Sequence, residues 1–464
     1  MSKKHLGLPL AAAILLVGWF MPPLEGLSHE GIVGLAVMFA MVAMMLCETL
    51  PMGVAGLLAL VVAALLGITQ ISTAFSGFGT TTVIFAMAVF SLTAIVMKSD
   101  LAIRLTGFLV RVAGKDSKRL VLAFMAAGGL LSAVMNDSAT LVLFLGFADT
   151  VLVNAGHVKG KSNLAKCLYL GSAFAIFMGG MATPAGASIN VLALGLVEQA
   201  TGLTIPFLAW MAVAAPVAIV MIPVIWLVIV RVFPPEPIDG ESLDVLSKKA
   251  ASLGALTVEE RKTLLFLIGV PVLWVVGSWV TALNVTTVSV IALALMCAPG
   301  IRLLTFDEFQ REVPWNIVIM IGAVISLGNV VGATGGIAFL ANAFLSSGVM
   351  ELGLFATFWL IVAAVYFMHS YVPVGPAFAT ILIPPLMAYC TSAGYSPAIP
   401  AILLAAILSG NMLVPINPGL ALSYRDNVYS FSDAFKAGII PVFILITLLA
   451  AWVPFAVSLT GVPC

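Results

Sequence analysis

Asn136-Asp137-Ser138-Ala139-Thr140 places an amide, a carboxylate and two hydroxyls inside a stretch, 119–155, that otherwise reads as membrane interior. An ionised carboxylate at that depth is costly, so such a cluster marks an ion, proton or substrate site by default. Three more breaks interrupt apolar runs: GGMATPAGASIN (179–190), SYVPVGPAFAT (370–380) and SGNMLVPINPG (409–419). Gly and Pro there free backbone carbonyls and amides that lipid cannot satisfy, and such backbone survives only where protein or a water-filled cavity surrounds it. Freed carbonyls suit Na⁺ and exposed helix N-termini suit anions. A simple kink in a packed helix explains any one break, but four in matching positions favour a binding centre.

The elements that position these breaks are membrane helices. Only 9% of the 464 residues are charged and 62% are hydrophobic, against about 25% charged in soluble domains. Apolar segments fall near 8–27, 31–48, 52–68, 82–97, 119–155, 164–199 and 206–232, then 263–283, 285–299, 315–332, 352–391, 397–422 and 437–458. Continuous runs rather than alternation argue helices, not a barrel. The expected fold is an all-α polytopic membrane protein with about 11 spans, each long enough for a core of about 30 Å. The apolar run near the N-terminus has no Ala-x-Ala cleavage site and reads as a retained first span, residues 1–30. Thr257…Glu260 and Thr305…Glu308 have capping-box spacing, so helices restart there. Two short interfacial pieces are expected near 101–114 and 335–348.

Charge placement gives a topology. With 119–155 and 352–391 as re-entrant hairpins and the N-terminus in the cytoplasm, all 20 Lys and Arg residues fall on the cytoplasmic side. The loops left outside, around 69–80, 200–205, 333–351 and 392–396, contain none, as the positive-inside rule requires. This implies a multi-pass protein of an inner (cytoplasmic) membrane.

The two halves resemble each other. PWNIVIMIGAVISLGNVVGATGG (314–336) parallels TTTVIFAMAVFSLTAIVMKSDLA (80–102), and FKAGIIPVFILITLLAAW (435–452) parallels LAWMAVAAPVAIVMIPVIW (208–226). The expected organisation is repeat 1 over 31–232, with its hairpin at 119–155 and broken helix at 164–199. A polar cytoplasmic linker, 233–262, joins it to repeat 2 over 263–464, with hairpin 352–391 and broken helix 397–422. Inverted repeats with broken helices near the midplane are the signature of secondary transporters.

At these motifs the chain resembles the divalent-anion:sodium symporter family, within the wider ion-transporter superfamily, essentially over its full length. CETLPMGVAGLLALVVAALLGI (47–68) is similar to the family's Glu-x-x-Pro segment, and FQREVPWNIVIMIGA (309–323) to the Pro-Trp start of its second half. GGMATPAGASIN is similar to its Gly-Gly-x-Ala-Thr…Gly-x-Pro-Pro-Asn loop, with Ala187-Ser188-Ile189 where x-Pro-Pro is usual. The resemblance implies an elevator-type carrier, usually dimeric, that moves di- or tricarboxylates or sulfate, with two Na⁺ sites flanking the substrate. The family's hairpin tips read Ser-Asn-Thr; here they read Asn136-Asp137-Ser138 and Val374-Gly375-Pro376. Position by position, the resemblance assigns Ser132, Asn136, Asp137 and the Gly186 backbone to the first ion site. It assigns Ser370, backbone around Val374, and Asn417 to the second, which lacks the usual Asn at Gly375. Substrate would meet Asn136, Ser138, Ala187, Ser188, Gly375, Pro376 and Pro418.

Where the family has a neutral amide, Asp137 offers a carboxylate. Three roles fit it: a direct Na⁺ ligand, a proton-coupling site when no cation is bound, or a structural hydrogen-bond partner. His369 reads first as a packing histidine, Arg425 as a helix-end or positive-inside residue, and Glu48 as a structural partner. Asp149 and Lys166 are expected to face solvent. The Met-rich run 37–45 reads as packing, and five scattered cysteines (Cys47, Cys167, Cys297, Cys390, Cys464) as small hydrophobes. No metalloprotease, hydrolase, phosphate-loop or nucleic-acid motif is present. The sequence reading is therefore a transporter without a cofactor, Na⁺- or H⁺-coupled, with a small anionic substrate, the lipid bilayer and a second copy of itself as partners. Carboxylate, dicarboxylate, sulfate and sulfonate substrates all fit. A cation/proton antiporter working through Asp137 is the alternative, and a membrane enzyme a distant third.

Overall fold

Every apolar run becomes helix, since a helix satisfies its own backbone polar groups where no water can. The computed structural model describes residues 3–114, 116–155, 160–238, 248, 251–346, 352–372, 374–424, 428–460 and 462. Among the described residues extended pairing is limited to one bridge between Leu24 and Leu27. Helices α1 (Lys3–Phe20), α2 (His29–Leu46), α3 (Met52–Leu65) and a single turn, α4 (Ile71–Ala74), open the chain. They lead to α5 (Thr81–Lys98), α6 (Leu101–Ala113), α7 (Ser117–Ser132), α8 (Asp137–Asn154), α9 (Asn163–Met181), α10 (Ser188–Thr201) and α11 (Phe207–Val232). After the linker come α12 (Val258–Val276), α13 (Val285–Cys297), α14 (Phe306–Glu312), α15 (Trp315–Ala333) and α16 (Gly336–Leu345). The chain closes with α17 (Leu354–Tyr371), α18 (Gly375–Ser392), α19 (Ala398–Leu408), α20 (Pro418–Ser423) and α21 (Phe431–Leu459).

Seven described helices, α2, α5, α9, α11, α15, α17 and α21, are long and apolar enough to cross a membrane; α1, α3, α13 and α19 are shorter apolar helices. The first helix lies earlier than its apolar run suggests, ending at Phe20, because Pro22 and Pro23 supply no amide hydrogens to extend it. Both capping boxes form, with Thr257 and Thr305 hydroxyls on the Glu260 and Glu308 amides and the carboxylates reaching back. The Met-rich run packs inside α2, where Met38, Met41, Met44 and Met45 are buried.

The element order recurs. Each half runs through two apolar helices, a short amphiphilic turn, a long helix, a short helix, two helices split by a break, and two more split by a longer break. Each ends in a long helix with internal prolines: Pro216 and Pro223 in α11, Pro441 and Pro454 in α21. The breaks fall at 133–136, 182–187, 372–374 and 409–417.

Close packing positions the first break. A Cβ on Gly179 of α9 would lie 1.9 Å from Gly129 O of α7, so these helices touch backbone to backbone. Small residues permit such approach, which is how membrane helices gain contact without a hydrophobic driving force.

Two carboxylates anchor the ends of the linker. Glu236 accepts from Ser162 Oγ (3.0 Å), Asn163 N (2.7 Å) and Leu164 N (2.7 Å), capping α9, and its own carbonyl accepts from Ser117 Oγ of α7 (2.6 Å). At the other end, Arg104 of α6 holds Glu260 through Nε (2.7 Å) and Nη2 (3.0 Å), and donates to Leu253, Gly254 and Ala255 carbonyls. This planar fork is a geometry lysine cannot reproduce.

Two surface expectations change. Asp149 accepts from Tyr169 Oη, and Lys166 pairs with Asp433 at 3.0 Å while lying over the Phe233 ring. Neither faces solvent freely, because α8, α9, the linker and α21 converge there. Cys167 and Cys390 are buried, Cys47 and Cys297 only half-buried. Arg425 and Cys464 lie outside the described residues.

Candidate functional site

At the first break Asn136 ends the loop and caps α8. Its side-chain oxygen accepts from Ser138 N (3.1 Å), and its own amide donates to Thr93 Oγ1 of α5 (3.1 Å). Asn is among the best residues for this position, since it satisfies an otherwise unpaired helix amide. The Asp137 amide donates to Gly186 O (3.1 Å), which ties the tip to the loop between α9 and α10. One carboxylate oxygen of Asp137 accepts from Ser138 N (2.7 Å).

The loop 182–187 is stitched in place from both sides. Thr183 Oγ1 donates to Ala133 O of the first break and accepts from Ala185 N (3.2 Å). Asn190 Nδ2 donates to Gly180 O (2.9 Å) and Thr183 O (2.7 Å). Gly186 is fixed by contact, since a Cβ there would lie 2.4 Å from Gly180 O and 2.6 Å from Ser132 O.

Oxygens converge around Gly180. The point where a Gly180 Cβ would sit lies 3.3 Å from Ser132 Oγ, 3.4 Å from Asp137 Cβ and 3.5 Å from Gly186 O. Ser132 Oγ is buried without a hydrogen-bond partner among the described residues, and so is Asn190 Oδ1. Buried polar atoms are normally paired. A hydroxyl, a carboxylate and freed carbonyls together are the ligand types a hard cation takes, so Ser132, Asp137 and Gly186 could hold Na⁺. Asn136 Oδ1 and Gly186 O each accept one backbone amide, from Ser138 N and Asp137 N, and each keeps a second lone pair for a cation.

The second break is built differently. Ser370 Oγ donates to Tyr366 O (2.8 Å) and accepts from Asn411 Nδ2 (2.6 Å). Asn411 Oδ1 accepts from Leu413 N (2.8 Å) and Val414 N (3.3 Å), and Tyr366 Oη takes Met412 N (2.9 Å). Asn417 Nδ2 faces His369 Nε2 at 2.9 Å, and its oxygen accepts from Gly419 N (3.0 Å). Val374 O accepts from Ala377 N (3.1 Å) and Phe378 N (3.4 Å). Ser370, Val374 and Asn417 are thus engaged with the protein itself. A side chain at Gly375 would meet Leu408 O at 3.2 Å and His369 Cε1 at 3.6 Å, so the carbonyl and the imidazole crowd the place an amide would take.

A cavity of about 590 Å³ joins the breaks. Of the anticipated residues it is lined by Asp137, Ser138, Ala187, Ser188, Val374, Gly375, Pro376 and Asn417. Ser132, Asn136, Gly186 and Ser370 lie behind its surface, and the Pro418 side chain is outside the described set. His369 lines the cavity as well as packing, and Glu48, at a positive φ of 51°, lines it too, with Lys4 and Thr49. Asn316, which accepts from Gly53 N (2.8 Å), and Ser409, which donates to Ala406 O (2.9 Å), complete the polar lining. Sequence reasoning missed Asn190 and Asn411 as individual residues. Both stand inside the quoted breaks, and a polar amide in a break was the available signal.

Comparison with known proteins bears on this arrangement. Residues 2–458 match the family described as sodium:sulfate symporter transmembrane region. The chain is 24% identical over 356 residues to YflS of Bacillus subtilis, covering 75% of this chain and 73% of that one. It is 22% identical over 335 residues to SdcS of Staphylococcus saprophyticus, a sodium-dependent dicarboxylate transporter, covering 67% and 64%. The YdaH transporter of Alcanivorax borkumensis has a similar structure at 14% identity, with a TM-score of 0.55 over 98% of this chain and 97% of that one, a likeness of fold alone. The cavity between broken helices thus sits in a multi-pass membrane transporter rather than an enzyme, and the chain belongs to the divalent-anion:sodium symporter family.

Proposed function

We propose that the protein is a Na⁺-coupled symporter of a small anion, the class that spans carboxylates, dicarboxylates, sulfate and sulfonates, and that it works by an elevator mechanism. One observation carries this reading: Asp137, Ser138 and Ser188 from the first half meet Gly375, Pro376 and Asn417 from the second half around one cavity. The unpaired Ser132 hydroxyl lies close behind Asp137. Na⁺ binds among Ser132, Asp137 and the Gly186 carbonyl, with Asn136 capping the tip beside it. Its charge cancels that of Asp137, which would otherwise repel an anion at the same wall. The anion then docks on amides and hydroxyls of the tips, and the loaded body moves across the membrane.

The recurring order of helices in the two halves supports an inverted repeat, with α7–α8 and α17–α18 as re-entrant hairpins. Charge placement supports a cytoplasmic N-terminus in an inner membrane. A homodimer accords with the family. The engagement of Ser370, Val374 and Asn417 with the protein itself favours a single Na⁺ at the first tip over the pair that the family pattern implies.

Purified protein in proteoliposomes tests the reading. Anion uptake is expected to follow an imposed Na⁺ gradient, and Na⁺ uptake to rise when anion is present. Equal uptake with and without Na⁺ and H⁺ gradients would sink it, and Na⁺–H⁺ exchange indifferent to anions would establish the antiporter instead.

A further inference from the structure

The cavity has a wall that the tips and broken helices do not supply. It is lined there by Lys4 at the start of α1, Glu48 and Thr49 in the turn between α2 and α3, and Asn316, Ile317 and Met320 at the start of α15. Basic residues stand at these ends, Lys3 and Lys4 opening α1 and Arg311 preceding α15. None of the lining residues belongs to the loops around 69–80, 200–205, 333–351 and 392–396, which carry no Lys or Arg. With basic ends in the cytoplasm, the cavity opens toward the cytoplasm.

This wall is held together by backbone contact. A Cβ on Gly53 of α3 would lie 2.8 Å from Asn316 O, and one on Gly56 would lie 2.5 Å from Ala323 Cβ. One on Gly77, in the turn at 76–79, would lie 2.5 Å from Ser326 N. Small residues again let helices meet closely. A wall fixed in this way suits a frame past which the body carrying the tips moves.

Asn316 is the amide side chain at the crossing of α3 and α15. Its Oδ1 accepts from Gly53 N (2.8 Å), one of the amides at the start of α3 that the helix itself cannot pair. That bond settles which end of the side chain is oxygen, because an amide nitrogen does not accept. Nδ2 then holds two hydrogens without a partner among the described residues, on an exposed side chain that lines the cavity. Capping α3 uses only the oxygen, and the donor is left over for something else.

We propose that Asn316 is a substrate-binding residue of the frame, donating from Nδ2 to the anion only while the cavity faces the cytoplasm. The tips travel with the anion and hold it in both states; Asn316 stays behind with α3. A contact made in one state only gives the anion a higher affinity there and draws the carrier toward that state. This rests on the symport reading above and adds which face of the carrier binds the anion more tightly.

The test measures anion-stimulated uptake of radiolabelled Na⁺ by the full-length protein in inside-out and right-side-out membrane vesicles, with succinate, sulfate and butyrate as probes. The half-saturating anion concentration is expected to be lower in inside-out vesicles, where the probe meets the cytoplasmic face. Asn316→Asp keeps an acceptor for Gly53 N and loses the donor. It is expected to raise the inside-out value at least about tenfold, the scale of a lost hydrogen bond to a charged group. The right-side-out value should stay within about twofold, and thermal melting should match the wild type. Ser188→Ala, on the body, is expected to raise both values together. If Asn316→Asp leaves both values unchanged, Asn316 only caps α3; if it raises both equally, the contact is not confined to one state. Either result overturns the proposal and leaves Na⁺ symport standing. Should Asn316→Asp melt lower, Asn316→Ala must show the same one-sided rise, because losing folded carrier lowers the maximal rate without shifting half-saturation at one face. No stimulation by any of the three probes in either vesicle overturns the symport reading as well.

Discussion

Among the described residues, Ser132 Oγ at the first break and Asn190 Oδ1 behind the adjoining loop are buried without partners, whereas at the second tip Ser370 Oγ both donates and accepts. The two serines occupy equivalent places, five residues before Asp137 and Gly375. One tip leaves oxygens unpaired, at about 1–3 kcal/mol per atom; the other pairs its serine and amide groups through Asn411, Tyr366 and His369 Nε2, and leaves only a ring nitrogen, His369 Nδ1, buried without a partner among the described residues. The difference teaches that a recurring order of helices need not mean recurring chemistry. The first tip is built to receive something, and the second to hold its own shape.

The sharpest way to break this contrast is Asp137→Asn. Loss of the charge is expected to weaken Na⁺ activation of uptake roughly 10- to 150-fold, the scale of a lost interaction with a charged group. Full retention would make Asp137 a structural partner and erase the distinction. Gly186→Ala drives a methyl into Gly180 O and Ser132 O; it should lower stability by about 1–3 kcal/mol and abolish Na⁺-dependent uptake together, seen by thermal melting and transport.

Two serine replacements sharpen the comparison further. Ser132→Ala removes an unpaired hydroxyl, so melting without Na⁺ should hold or rise while the Na⁺-induced shift shrinks; a loss of Na⁺-free stability would mean the hydroxyl has a protein partner. Ser370→Ala instead strips the partner from Asn411 Nδ2, and should cost about 1–2 kcal/mol with Na⁺ activation unchanged.

The smallest effect concerns acidity. The Lys98 ammonium, 2.7 Å from Glu308, holds that carboxyl down at about 2. Its folded-state value is depressed, so its contribution is fully present above the ordinary value near 4.5 and fades only as pH falls toward 2. Lys98→Gln is therefore expected to leave the change in uptake between pH 7 and 5 as it was, assigning that change to groups at the cavity.

The four breaks and the two capping boxes were legible because Gly, Pro, Asn and Thr act on their own backbone neighbourhood. Asp137 announced itself by its cost in apolar surroundings. What could not be read were partnerships that only folding creates. Ser370 with Asn411 spans 41 residues and His369 with Asn417 spans 48, and no local signal says that Ser370 and Asn417 already have protein partners. Asp149 and Lys166 misled for the same reason, since Tyr169 and Asp433 reach them from other helices. The end of α1 was misplaced because hydropathy weighs side chains, while Pro22 and Pro23 act through the amide hydrogens they lack.

The anchors at the two ends of the linker carry a consequence for how such a chain could be taken apart. Glu236 fastens its end to α7 and α9, and Arg104 fastens residues 253–260 to α6. The first half therefore holds both margins of the joint through its own helices, and the covalent connection is not what secures either margin. Two polypeptides divided between 239 and 250 would keep every one of these contacts on reassembly, because each contact is made by residues on one side or the other of the cut and none needs the peptide bonds between.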